Sequence, residues 1–428
     1  MEPSFGDLGI SPKLLEILEK LQFKVPTPIQ AQAIPIGMEG KDVIGIAQTG
    51  TGKTLAFSLP MLQRIARSKQ QGLVVLPTRE LAFQVDEELQ KIGKSFGLRT
   101  ALLIGGAPMP KQLRQINMNP HIIIGTPGRI NDHLEERKTL NLSRVGVLVL
   151  DEADRMLDMG FAPQIRRIMK HVPKQRQTML FSATMPNEIR RMVNEYMDNP
   201  ATVEVAQAGT VTDRVDQKMH ILEKHQKNQL LEKLLTDYDG SVLVFSRTKY
   251  GAKKICRAIR SMGHEAAELH SNLTLPQRRR SMEGFKSGKH RILVATDIAS
   301  RGIDVNNIEL VVNYDLPDNP EDYVHRVGRT GRAGKMGQAI SFATPEQKRE
   351  VNDIEASVQQ RIAIAPLPEL PPARQGGGHD SYRTEQSNYG NRRRTNFKYA
   401  RAPRSKQPRR SQSRQRTSSS GYKTRVHV

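Results

Sequence analysis

The stretch "VGVLVLDEADRML" occupies residues 145–157, and its reading decides the fold. Its first six residues are Val, Leu or Gly. A run that is apolar on both faces fits a strand of a parallel sheet covered by helices. Asp151, Glu152 and Asp154 follow at once, where the strand should end. A buried strand that closes on concentrated negative charge needs a reason. Working outward, similar short runs recur. "DVIGIAQTG", "GLVVLPTRE", "HIIIGTPGR" and "TMLFSAT" lie in the first half; "SVLVFSRT", "RILVATDIASRG", "LVVNYDLP" and "QAISFAT" lie in the second. Helix-like segments such as "ELAFQVDEELQKIGKSF" and "YGAKKICRAIRSMG" lie between them. This alternation predicts βαβ units and doubly wound α/β sheets in two groups. Polar residues cluster just after the strands, at the carboxyl edge where open α/β sheets bind ligands.

Composition narrows the function. The chain has 428 residues and a net charge of +22, which points to a polyanionic partner. Residues 386–428 hold 13 Lys and Arg and no Asp or Glu, more than half of the excess. A single cysteine, Cys256, excludes an intramolecular disulfide and a multi-Cys zinc site, and it suits a reducing compartment. No apolar run reaches the roughly 18 residues of a membrane span, and the first residues lack a signal-peptide core. A cytoplasmic protein with no membrane contact is expected. The segment at 203–217, "VEVAQAGTVTDRVDQ", lacks a helical period and is read as holding a linker. The expected division is a first domain over 1–207, a linker over 208–213 and a second domain over 214–365. A disordered Arg-rich tail is expected over 366–428.

"AQTGTGKT" (residues 47–54) follows a strand-like run and opens a helix-like one. Ala47, Gln48, Thr49, Gly50, Thr51 and Gly52 form the turn, with Ala47 where the general pattern has Gly. The glycines let backbone N–H groups approach phosphate oxygens. Lys53 would reach the β- and γ-phosphates, and the Thr54 hydroxyl would ligate Mg2+. The helix N-terminus adds positive potential. A nucleotide site needs a second metal anchor at a neighbouring strand end, which gives the acids of 151–154 their reason. Asp151 is the candidate Mg2+ anchor, and Glu152 is the candidate base or orienter of the attacking water. Asp154 is read as organising the nearby loops.

Together these motifs resemble the DEAD-box ATP-dependent RNA helicase family. The resemblance covers about residues 1–350. It includes "VPTPIQ" (25–30), "PTREL" (77–81), "GG" (105–106), "TPGR" (126–129), "DEAD" (151–154) and "SAT" (182–184). In the second half it includes "VFSRT" (244–248), "ATDIASRGID" (295–304) and "HRVGRTGR" (325–332). The compact core and short basic tail are similar to the bacterial RhlE-like branch. The resemblance implies two tandem RecA-like domains, ATP as cofactor and RNA as partner. It implies that Gln30 reads the adenine edge and that Phe23 packs on the base, with Phe5 as the upstream aromatic. Gln22 departs from the family's usual Gly. Gly302 and Asp304 would border the nucleotide, with Asp304 on the ribose. Arg329 and Arg332 would be arginine fingers, since a guanidinium stays charged at any working pH. His325 and Arg326 would couple to the nucleotide loops, and Ser182 and Thr184 would link hydrolysis to strand separation.

The strand-end loops also suggest an RNA path. Arg79 and Arg129 can bond phosphates, and Gly105, Gly106 and Gly128 permit close approach beside Pro77. Thr126, Thr296 and Arg301 extend the path by resemblance, and Gln277 and Arg280 match a Q-x-x-R element. Contacts to phosphate and sugar carry little sequence preference, and 2′-OH contacts would select RNA. In the tail, Arg interleaved with Tyr382, Tyr389, Phe397, Tyr399 and Tyr422 suits a tether that stacks on bases. The leading expectation is an RNA-dependent ATPase that unwinds short duplexes and remodels ribonucleoprotein. An ATP-gated RNA clamp and a DNA-directed helicase stay open, as do ribosome-assembly and RNA-decay proteins as partners. A monomer is expected.

Overall fold

The computed structural model describes residues 3–48, 50–205, 215–300, 308–331 and 336–372. Two seven-stranded sheets organise them. The first contains β1 (Val43–Ile46), β2 (Gln71–Val75), β3 (Thr100–Leu103), β4 (Ile122–Gly125), β5 (Val145–Leu150), β6 (Gln177–Ser182) and β7 (Ala201–Glu204). Its order is β3-β4-β2-β5-β6-β1-β7. The second contains β8 (Val215–Ile221), β9 (Val242–Phe245), β10 (Ala266–Leu269), β11 (Ile292–Ala295), β12 (Leu310–Asn313), β13 (Gly337–Ala343) and β14 (Ala363–Ile364). Its order is β10-β11-β9-β12-β13-β8-β14. Every pairing in both sheets is parallel. All six residues of β5 are buried, as a central strand covered on both faces requires.

The order of the first sheet builds the site. β6 lies between β5 and β1, so the ends of three strands distant in sequence become neighbours. The loop after β1, the acids after β5 and the Ser182 end of β6 therefore share one edge. Helix α1 (Pro12–Lys20) and helix α2 (Pro28–Met38) precede β1, α3 (Lys53–Ser68) follows it, and α4 (Arg79–Gly93) follows β2. α3 starts at the phosphate-loop lysine and runs back along the sheet.

The sequence reading missed β3, β7, β8, β10 and β14. It read 203–217 only as lacking a helical period and holding a linker. In fact β7 runs to Glu204 and β8 begins at Val215. The expected linker, 208–213, lies outside the described residues. So does the expected tail beyond Pro372.

One glycine fixes how closely β1 meets its cover. A Cβ at Gly45 would stand 2.4 Å from the Phe181 ring. That ring packs tilted on Phe57 of α3, centroids 5.6 Å apart. Gly45→Ala is expected to destabilise the protein by ~1–3 kcal/mol through overpacking. Gly45→Ala/Phe181→Leu should recover part of the loss in urea unfolding; a neutral single substitution would refute the packing account.

Candidate active site and nucleic-acid face

The phosphate loop takes its shape from its glycines. Gly50 and Gly52 both have positive φ, 86° and 91°. A Cβ at Gly52 would lie 2.3 Å from the Gln30 amide nitrogen, so only glycine fits there. The Thr51 hydroxyl donates to the Gln48 carbonyl at 2.8 Å. Lys53 is buried, and its ammonium donates to the Ala47 carbonyl at 2.8 Å. Thr54 follows on the first turn of α3. Thr49 lies outside the described residues. Gln30 is held at both ends of its amide. Its oxygen accepts from the Thr27 N–H at 2.9 Å, capping α2, and its nitrogen donates to the Gly52 carbonyl at 2.9 Å. This pins the segment before β1 to the phosphate loop. Phe23 is 42% exposed, so its ring is not core, whereas Phe5 is buried in the core. Gln22 adopts a left-handed φ of 63°, the conformation for which the family's usual Gly is suited.

The three acids after β5 sit in three different environments, all buried. Asp154 is saturated. One oxygen accepts from the backbone N–H groups of Ala183 and Thr184, both at 3.0 Å, and from the Thr184 hydroxyl at 3.2 Å. The other accepts from the Arg155 N–H at 2.9 Å, and the Asp154 N–H donates to the Ser182 hydroxyl at 3.3 Å. Burial works against this carboxylate, yet Lys53, Arg155, the Arg155 N–H and His325 hold its pKa below the ordinary value. The sequence reading of Asp154 as a loop organiser agrees with these bonds. Glu152 pairs with Arg155 at 2.9 Å, with both side chains buried. Its backbone is left-handed, φ 52° and ψ 50°, at the start of the helix Ala153–Asp158. Asp151 accepts the Glu152 N–H at 2.9 Å. Burial pushes its pKa up to about 6; Glu152 and Asp154 add to the shift, and Lys53 opposes it.

Arg155 was not foreseen. In sequence it reads as an ordinary helix cation, but it is only 1% exposed, and one guanidinium nitrogen, Nη2, has no hydrogen-bond partner among the described residues.

At the same sheet edge the expected RNA-path residues come together. The Arg79 guanidinium lies against Gly105 and Gly106; a Cβ on either would stand 3.1 Å or 2.7 Å from its nitrogens. Pro77 and Thr126 are buried at the ends of β2 and β4, and Thr126 caps the helix Pro127–Asn131. No described residue stands within 4 Å of a Cβ on Gly128. Arg129 pairs with Asp132 at 3.2 Å and keeps a buried Nη1 without a hydrogen-bond partner among the described residues.

On the second sheet, Arg326 is 1% exposed and fully engaged. It grips Asp297 with two nitrogens, one at 2.7 Å, and donates to the Asn313 side chain at 3.2 Å and the Asp315 carbonyl at 2.6 Å. Its guanidinium also lies over the Phe245 ring. Arg329 is 3% exposed and donates to the His325 carbonyl at 3.2 Å. Thr296 ends β11. Arg301, Gly302, Asp304 and Arg332 lie outside the described residues. The Gln277 amide oxygen accepts from the Thr274 N–H and hydroxyl, both at 2.9 Å, so it caps the helix Leu275–Lys286. Arg280 is exposed. Its neighbours make the contacts that sequence reading missed. Arg278 forms a 2.7 Å ion pair with Glu80 of α4, not aligned as a hydrogen bond, and Arg279 lies over the Phe83 ring at 4.7 Å.

A glycine-shaped phosphate loop, an acid-ended central strand beside it and a second sheet with buried arginines define a P-loop nucleotide-driven machine. The comparisons with known proteins make this specific. Residues 27–192 match the DEAD/DEAH box helicase model, and residues 226–334 match the helicase conserved C-terminal domain. The chain belongs to the DEAD-box family of ATP-dependent RNA helicases. It is 44% identical to the ATP-dependent rRNA helicase RRP3 of Debaryomyces hansenii, across 85% of this chain and 77% of that protein. It is 43% identical to the DEAD-box ATP-dependent RNA helicase CshA of Bacillus cereus, across 87% and 71%. Dbp5 of S. cerevisiae bound to RNA and ADP BeF3 matches with a TM-score of 0.74 and 34% identity, across 85% of this chain and 95% of that one.

The raised Asp151 pKa has a stability consequence. Between its ordinary value of 3.8 and about 6, the folded state holds a proton that the unfolded state has released. Stability therefore falls as pH rises through this window, by roughly 3 kcal/mol in all. Asp151→Asn is expected to raise the melting temperature of nucleotide-free protein in EDTA at pH 7.5, with the gain shrinking toward pH 4. Equal melting at both pH values would refute the assignment.

Proposed function

We propose that this chain hydrolyses ATP in response to RNA and uses the cycle to open short RNA duplexes locally and to remodel ribonucleoprotein. The observation that carries the reading is the single edge shared by Lys53, the three acids and the Ser182–Thr184 segment. Lys53 would leave the Ala47 carbonyl to meet the phosphates. Arg155 holds one oxygen of Glu152 and leaves the other for the attacking water. Asp154 ties the acid strand end to Ala183 and Thr184, so a change at the nucleotide is felt at the end of β6.

The residues present fit Mg2+. The donors are oxygens, as a hard cation prefers, and Asp151 is a buried carboxylate whose pKa stays raised despite the charge of Lys53. Thr54 and Asp151 would hold the ion, which would offset charge on the β- and γ-phosphates. In the second sheet, Arg329 is the candidate finger, with Arg332 beside it in sequence. Phe23, Gln30, Gly302 and Asp304 are the candidate contacts to base and ribose.

RNA would run over Arg79, Gly105, Gly106, Thr126, Gly128 and Arg129, then over Thr296, Arg301 and Arg280. Glu80, next to Arg79, pairs with Arg278 across the two halves, so an RNA contact and an inter-sheet contact fall on adjacent residues. This supports reciprocal linkage between RNA binding and assembly of the ATP site. The working division is a first domain over 1–207 and a second over 214–365, acting as a monomer in the cytoplasm, with the basic tail as an RNA tether.

Steady-state turnover with RNA, and with single-stranded DNA of equal sequence, tests the reading. Strong stimulation by RNA alone is expected; equal stimulation by both, or by neither, would overturn it. Arg329→Ala should lower kcat by a factor on the order of 10³ or more, the scale of a lost arginine finger. Binding of a fluorescent ATP analogue should persist. Normal turnover in that variant would remove Arg329 from the site.

A further inference from the structure

The first sheet has a second feature at its opposite edge. Two adjoining hollows, of about 420 and 300 Å³, run along the C-terminal half of α3. The larger lies between α1, α3 and the residues leading into β3 and β4. Its floor is apolar: Leu14, Leu62 and Ile65 are buried there, with Leu98 and the ring of Phe96 beside them. The smaller continues past Met38 and Pro60. Gln63 belongs to both and closes the wall between them, accepting from the Ser11 N–H at 2.8 Å and donating to the Gly9 carbonyl at 3.1 Å.

The rim is of one sign. Lys13, Arg64 and Arg67 line the two hollows with His121, and no Asp or Glu among the described residues does. The Arg64 Nε is buried with no hydrogen-bond partner among the described residues. Arg99 donates its backbone N–H to His121 and, with Arg144, adds to burial in disfavouring a proton there. An apolar floor inside a positive rim is a mismatch for a surface that meets only water.

We infer that this groove docks an acidic, amphipathic segment of a partner protein, whose apolar side chains fill the hollows while its carboxylates meet Lys13, Arg64 and Arg67. The chain's own tail is a poor occupant, because residues 386–428 carry 13 cations and no acid. RNA is disfavoured too. The floor offers phosphates nothing, and Lys13 already covers the Phe96 ring at 4.9 Å. The groove also leaves catalysis free. Ile65 lies roughly 18 Å along α3 from Lys53 at 1.5 Å per residue, toward the amino ends of the strands. A partner seated there would carry the enzyme without covering the nucleotide or RNA edge.

The test uses the full chain with saturating poly(U). A phage-displayed library of peptides about 12 residues long, roughly 18 Å as a helix, is panned on it. Enriched peptides are then measured by fluorescence anisotropy against wild type and Lys13→Glu/Arg67→Glu. The expected peptides carry Asp or Glu around two or more large apolar residues. They should bind the charge-reversed chain about tenfold or more weakly, although its melting temperature matches wild type. No enrichment, enrichment without acids, or binding undiminished by charge reversal would overturn the inference. So would a loss of poly(U) affinity in place of peptide affinity, which would make the face an RNA site.

Discussion

Three buried carboxylates at the end of one buried strand are the constraint on which the first half of the molecule turns. Charges inside a protein need partners, because desolvation costs several kcal/mol per ion. The sheet order supplies them. With β6 as the only strand between β5 and β1, the phosphate-loop lysine stands near the acids, and the end of β6 offers N–H groups and hydroxyls. Each acid then takes a different solution. Asp154 is held charged by several hydrogen bonds, Glu152 by a buried guanidinium, and Asp151 by one backbone N–H and the charge of Lys53, which leave its pKa raised. The least satisfied of the three is the one with the chemistry to want a divalent cation.

The central strands were legible in the sequence, and the outer ones were not, for one physical reason. β2, β5, β6, β9 and β11 are covered on both faces and read as unbroken apolar runs. β3, β7, β10 and β14 are edge strands, and β8 is next to the edge, beside the two-residue β14. Their faces meet water in part, so Thr100, Glu204, Lys218 and Glu268 interrupt the pattern. Short edge strands look like loops when only composition is visible.

The site divides along the same line. That Lys53, Asp151 and the glycines sit at strand ends was legible because local spacing sets their place in the fold. Arg155 was not, because a cation three residues after a glutamate is commonplace on exposed helices. Only its burial makes it different. Glu80 and Arg278 were equally hidden, since each stands in a motif read for other residues. The T-x-x-Q pattern adds a further lesson. Gln30 and Gln277 were both singled out for ligand contact, and both also cap the helix they begin. In Gln277 the amide oxygen is spent on that cap. In Gln30 the cap and the bond to Gly52 fix the direction of the amide before any nucleotide arrives.

Arg326 gives the second half a different kind of order. It binds the loop after β11 through Asp297, the end of β12 through Asn313, and the next loop through Asp315, while Arg329 is held one turn further along the same chain. A guanidinium with so many anchors acts as a keystone. The loops around it cannot drift separately without breaking several bonds at once. The freedom those groups would otherwise lose one after another is already lost within this half. A keystone of this kind makes any local shift abrupt: the groups bound to Arg326 move together or not at all.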